Sequence, residues 1–156
     1  MKLVINSSAI IALSKVGLLE LLSNYNIIVP EAVYKEVTTP EKPESSAIAK
    51  ILRNHISRPK NRDLVNKLSE NLGLGESETI ALALEVKGIA VLDDQLARKI
   101  ARKVGVKVKG LLWILIDKKR KGKLSSIKPI LDRLIEKKFR ISKRLYQKVL
   151  ELVGER

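Results

Sequence analysis

The 156-residue sequence has no cysteine and a single histidine, His55. Without thiols there are no disulfides, no zinc ribbons, no iron–sulfur clusters and no cysteine nucleophile. A lone imidazole excludes paired-histidine acid–base chemistry and any histidine-rich metal site. Long hydrophobic runs are missing too. The longest, Leu111 to Ile116, is far short of the ~20 apolar residues that a membrane span needs. The opening MKLVINSS has neither the length nor the small-residue cleavage site of a signal peptide. The expectation is a soluble, cytoplasmic protein with no membrane partner. Glutamine is also scarce, with only Gln95 and Gln147, while Lys, Glu, Ile and Val abound. That balance is one that thermophile proteins favour.

Apolar residues make up 45% of the chain, enough to exclude disorder despite 31% charged residues. The length suits one domain. The formal net charge is +14, and it is unevenly placed. Residues 1–97 carry 11 basic and 12 acidic side chains, whereas residues 98–156 carry 20 and 5. A cationic surface in the second half is suited to polyanions. The plainer reading is a lysine-rich solvated face. The same half is rich in Leu, Ile and Val, so it is not a chromatin-like tail.

The order of elements alternates strand and helix. KLVIN is a short apolar run, a buried strand, after which Ser7 or Ser8 can cap a helix that Gly17 stops. LLELLSN forms a further short helix and NIIV a second strand. Pro30 fits the first turn of the helix EAVYKEV. Helices follow around Ser45–Asn54 and Arg62–Asn71. After the turn LGLG a helix runs from about Glu76 to Val86, and IAVL is a third strand. Asp94 to Lys103 is an amphipathic helix with Leu96, Ile100 and Val104 on one side and Arg98, Lys99 and Arg102 exposed. VKVK is a fourth strand, and everything beyond Gly110 is helical, with Ser142 capping the last segment. Strands alternating with helices imply a parallel sheet covered on both faces, an α/β fold.

Parallel sheets place ligands beyond the carboxyl ends of their strands. Asn6 follows the first strand there, and Asp93 and Asp94 follow the third. Glu36 lies on the helix after the second strand, and Glu76 and Glu78 open the helix before the third. Four separated segments thus bring oxygen-bearing side chains toward one edge, a donor set suited to Mg²⁺ or Mn²⁺. Between the two glutamates Glu76 is preferred, because it shares a helix face with Ile80 and Ala83. Glu78 lies about 200° round from it. Both also suit the positive end of the helix dipole. The plainer reading of one of the two aspartates is an N-cap of the following helix, but a cap needs only one.

Through VINSSAIIAL, VPEAVYKEV, LGLGESETIALALE and AVLDDQLARKIARKVGVKVKG, the chain resembles the PIN-domain family of metal-dependent ribonucleases, which includes the VapC-type toxins. It is most similar to a prokaryotic subfamily described only as predicted PIN-domain nucleic-acid-binding proteins. The likeness runs through the tail, FRISKRLYQKVLEL. It implies a PIN-like three-layer sandwich with a central parallel sheet of four or five strands, a core over about 1–110 and a helical extension over about 111–156. It also implies Mg²⁺- or Mn²⁺-dependent cleavage of single-stranded RNA, a homodimer, and, for a toxin, a separate antitoxin. Carried over, the site positions are Asn6, Glu36, Glu76 and Asp94, with Asp93 beside the last and Ser8 supporting the first. Most PIN ribonucleases have Asp where this chain has Asn6. Asparagine offers a carbonyl oxygen without charge, so an alternative is a nucleic-acid-binding protein with weakened or lost catalysis.

Arg98 and Arg102, together with Lys118, Lys119, Arg120 and Lys121 in the run KKRKGK, are candidate phosphate contacts. That run also ends a helix, where cations suit the dipole and Gly122 is a stop. GLGES lacks the third glycine of a dinucleotide fingerprint and the lysine of a P-loop. His55, Trp113, Phe139 and Tyr146 are read as packing or surface residues.

Overall fold

In the computed structural model, which describes residues 1–155, the chain runs β1 (Lys2–Ile5), α1 (Ser7–Lys15), a 3₁₀ stretch (Leu19–Asn24), β2 (Asn26–Pro30), α2 (Glu31–Val37) and α3 (Ser45–Leu52). It continues through β3 (Ile56–Ser57), α4 (Arg62–Leu68), α5 (Leu74–Val86), β4 (Ile89–Val91), α6 (Gln95–Lys103) and β5 (Lys107–Lys109). Three helices follow, α7 (Leu111–Arg120), α8 (Lys128–Glu136) and α9 (Lys143–Leu152). The five strands form one all-parallel sheet in the order β3-β2-β1-β4-β5. The architecture is α/β, as the strand–helix alternation and the family resemblance both imply. No helix among the described residues is long and apolar enough to cross a membrane.

Side-chain alternation along the strands assigns the two faces of the sheet. Leu3, Ile5, Ile27, Val29, Ile89 and Val91 point into one apolar cluster, which α1, α7, α8 and α9 close. Val4, Ala90 and Leu92 point into the other, closed by α4, α5 and α6. Each fully buried Leu or Ile contributes ~1.5–3 kcal/mol of apolar transfer, so both faces are needed to hold so small a sheet. The extension is part of this arrangement. Leu111, Ile114, Leu115, Ile127, Leu131 and Leu134 are all fully buried in the first cluster.

The sheet order places the site. β1 is central, and the chain steps from it to β2 on one side and to β4 on the other, leaving a switch point at their carboxyl ends. Ile5 pairs in register with Val91, and the Asn6 N–H donates to the Val91 carbonyl at 3.2 Å. The residue after β1 therefore lies beside Asp93 and Asp94. α5 leads directly into β4, so it runs against the strands and its N-terminus reaches the same edge.

Several local expectations are corrected. Neither Ser7 nor Ser8 caps α1: Asn6 holds the N-cap position without a side-chain bond, and both serines are already helical. Pro30 closes β2 and caps α2 instead of entering its first turn. α5 begins at Leu74, two residues before Glu76. β3 has only two residues on the sheet edge, with Ile56 exposed, too short for alternation to show. α6 buries Ala97 and Ala101 against the sheet while Leu96 is 49% exposed. Alanines allow close approach of the helix, which is rotated away from the face that Leu96 marks.

Candidate metal and nucleic-acid site

At the carboxyl edge of the sheet an open pocket of about 290 Å³ is lined by Asn6, Ser7, Ser8, Glu36, Gly73, Gly75, Glu76, Asp93 and Asp94. Asn6, Glu36, Glu76 and Asp94 come from four separated segments, and the parallel topology brings them together. The donors are oxygens only, which fits a hard divalent ion. Among the described residues, no group of three or more His, Cys, Asp or Glu side chains is already gathered tightly enough to hold an ion.

Hydrogen bonds orient the donors. The Ser7 hydroxyl, with one proton to give, sits 2.9 Å from Glu36 Oε2 and 3.3 Å from Asn6 Oδ1. The shorter contact is the stronger, so Ser7 mainly aims Glu36. Glu76 reaches back to accept the Gly73 N–H at 3.3 Å. Asp94 Oδ2 accepts the Ala97 N–H at 2.9 Å and is the N-cap of α6.

Gly75 makes the approach of these groups possible. A Cβ there would lie 2.5 Å from Glu36 Oε1, 3.3 Å from Val33 Cγ2 and 3.6 Å from Asn6 Oδ1. Burial pushes the Glu76 carboxyl above its usual range; repulsion from Asp94 and Glu36 adds to this, and the Gly73 N–H partly offsets it. A cation in the pocket would offset this cost of charge at Glu76.

The structure separates the paired candidates. Glu78 is 3% exposed and does not line the pocket. Its Oε1 accepts the Ala32 N–H at 2.9 Å, and its Oε2 pairs with Arg62 at 2.8 Å, so it fastens the start of α2 to α4. Asp93 lines the pocket, but both its oxygens are engaged. Oδ1 accepts the Leu111 N–H at 3.2 Å and Oδ2 accepts the Ser8 hydroxyl at 3.2 Å. Burial raises its pKa, against the Leu111, Ser8 and Arg98 interactions. Asp93 thus ties α1 to α7, and the serine that reaches Asn6 is Ser7, not Ser8.

The expected phosphate contacts are mostly spent on the fold. Lys118 is 1% exposed, with its ammonium 4.3 Å from the centre of the Tyr25 ring, and burial lowers its pKa. Lys119 pairs with Glu155 at 2.7 Å and Lys121 with Asp117 at 2.8 Å. Arg98 donates to the Leu92 carbonyl at 2.9 Å. Only Arg102 and Arg120 of the six project freely into solvent among the described residues. A basic run at a helix end satisfies its own fold before it meets a ligand.

Sequence reasoning missed Ser7 and Gly75. Ser7 stood in the motif as one of two candidate caps, and nothing local distinguished it from Ser8. Gly75 was visible only as part of a turn.

A family model described as a PIN domain matches residues 2–155, so the chain belongs to the PIN-domain family. No curated protein and no solved structure matches it.

Proposed function

We propose that the chain is a Mg²⁺- or Mn²⁺-dependent ribonuclease that hydrolyses phosphodiester bonds of single-stranded RNA in the cytoplasm. One observation carries this reading: Asn6, Glu36, Glu76 and Asp94 converge on one pocket at the switch point of the sheet. Family membership supplies the nuclease context.

Glu36, Glu76 and Asp94 are the residues that would hold the ion, with the Asn6 carbonyl oxygen completing the set. When bound, such an ion neutralises phosphate charge and lowers the pKa of a water. Ser7 orients Glu36 through its hydroxyl, and the α6 cap fixes one oxygen of Asp94, leaving the other for the site. These bonds orient single donors, and the acids would still have to draw together around the ion. The N-terminus of α5 adds a positive dipole end to the same edge.

The test is incubation of mixed single-stranded RNA with Mn²⁺, Mg²⁺ or EDTA, with Asp94→Asn alongside. Metal-dependent cleavage that the variant loses is expected. Asparagine caps helices as well as aspartate does, so the variant stays folded. Cleavage by Asp94→Asn at the wild-type rate would refute the assigned role.

Asn6 favours a second reading, a nucleic-acid-binding protein without turnover. It predicts salt-sensitive RNA binding with no cleavage under any metal. The resemblance to VapC-type toxins extends the first reading to a homodimer and a separate antitoxin. Sedimentation tests the dimer, and a small DNA-binding protein encoded next to this gene would support the antitoxin.

A further inference from the structure

A second pocket, about 210 Å³, adjoins the acidic one and shares Ser8 with it. Its apolar lining includes Ile11 of α1, Leu134 of α8 and Phe139, and lysines 15, 137 and 138 stand around it. No acidic side chain lines it. None of the three lysines is held in an ion pair among the described residues. An apolar floor with a cationic rim, next to a candidate cleavage site, has the chemistry of a nucleotide.

The loop that carries Lys138 has a strained backbone. Six helices end in the same loop, in which a backbone N–H reaches back to a carbonyl five residues earlier. The donors are Leu18, Gly88, Val106, Lys123, Phe139 and Glu155. The residue before the donor adopts a left-handed conformation each time. In four of the six it is glycine, at positions 17, 105, 122 and 154. At the ends of α5 and α8 it is lysine, Lys87 with φ 54° and Lys138 with φ 73°. An L-residue is strained there and glycine is not.

We infer that this pocket is a nucleotide subsite, in which single-stranded RNA lays one base against Phe139 and Ile11 and its phosphates against Lys15, Lys137 and Lys138. The subsite rests on the ribonuclease reading above, because it takes a nucleotide flanking the bond at the acidic pocket. Stacking on a ring tolerates any base, so the subsite adds affinity without sequence preference.

The experiment measures binding of a labelled 12-nucleotide single-stranded RNA by fluorescence anisotropy in EDTA, across a salt series, to the full chain. Lys138→Gly and Phe139→Leu are compared with it, and an RNA lacking bases is the second probe. Lys138→Gly relieves the backbone, so its Tm should rise while RNA affinity falls about threefold or more and the salt slope drops by about one. Phe139→Leu keeps an apolar residue in the loop and should lose about tenfold on normal RNA, with little change on the baseless strand. Wild-type affinity in both variants overturns the subsite and leaves the ribonuclease reading standing. Loss confined to Lys138→Gly overturns the base contact. No RNA binding by the unmodified chain overturns the functional reading and the subsite together.

Discussion

Gly75→Ala isolates the cation site from the stability of the fold. In an exposed helix the change would favour the folded state by ~1 kcal/mol. Here the new Cβ lies 2.5 Å from Glu36 Oε1, and the oxygen must retreat about 0.9 Å to reach an ordinary contact of 3.4 Å. Val33, 3.3 Å away on the other side, is fully buried and cannot yield. Moving Glu36 stretches the 2.9 Å bond from Ser7, a loss of ~1 kcal/mol. Gain and loss nearly cancel, and the variant should unfold within a few degrees of the wild type. Cation affinity should respond far more, because ligand distances are held to about 0.2 Å. Displacing one carboxylate should weaken Mn²⁺ binding about 10–100-fold, or ~1.4–2.7 kcal/mol. Titration calorimetry with Mn²⁺, paired with thermal unfolding in EDTA, reads both quantities. A folded alanine variant with wild-type Mn²⁺ affinity would show that Glu36 and Gly75 do not form the site.

Asn6→Asp adds a charge to a buried position beside Glu36, so the cation-free protein should lose Tm while its stabilisation by Mn²⁺ grows; no gain in Mn²⁺ affinity refutes a ligand role for residue 6. Glu76 has a raised pKa, so the folded chain holds its proton more tightly than the unfolded chain. Stability without cations therefore rises as pH falls through that pKa towards 4.5, and Glu76→Gln should raise Tm at pH 7 in EDTA. Mn²⁺ affinity should fall over the same pH interval, and an absence of both effects counts against the cluster. Glu155 has the opposite sign. Burial alone would raise its pKa, yet the Lys119 ion pair, the Ile127 and Lys128 N–H groups and the Ser126 hydroxyl bring it down to about 2. Its stabilisation is present above pH 4.5 and is lost as pH falls towards about 2. Glu155→Ala should cost ~2 kcal/mol in urea unfolding at pH 7, a difference that vanishes at the acid end of this range.

The strands KLVIN, NIIV, IAVL and VKVK were legible because each is a compact apolar or alternating run. The helices between them were legible from spacing and from glycine stops. β3 was not, since a two-residue edge strand has no period. The face of α6 was misjudged because leucine outweighs alanine in any hydrophobic pattern, while a close helix–sheet contact selects alanine. At the site, Asn6, Glu36, Glu76 and Asp94 could be named from their places after strands or at a helix start. Their partners could not. Ser7 and Ser8 are adjacent and identical, and only the rotation of α1 sends one hydroxyl to Glu36 and the other to Asp93.

By itself, then, the sequence determined the class of fold, the all-oxygen chemistry and the surplus of cations in residues 98–156. These follow from composition and short-range order, which survive without coordinates. Tertiary structure decided which charges are available. It committed Glu78 to Arg62 and Ala32, Asp93 to Ser8 and Leu111, and Lys118 to the Tyr25 ring. It left Glu36, Glu76 and Asp94 facing one pocket. The physical reason is that a buried charge must find a partner wherever packing places it, and packing is set by residues distant in the chain.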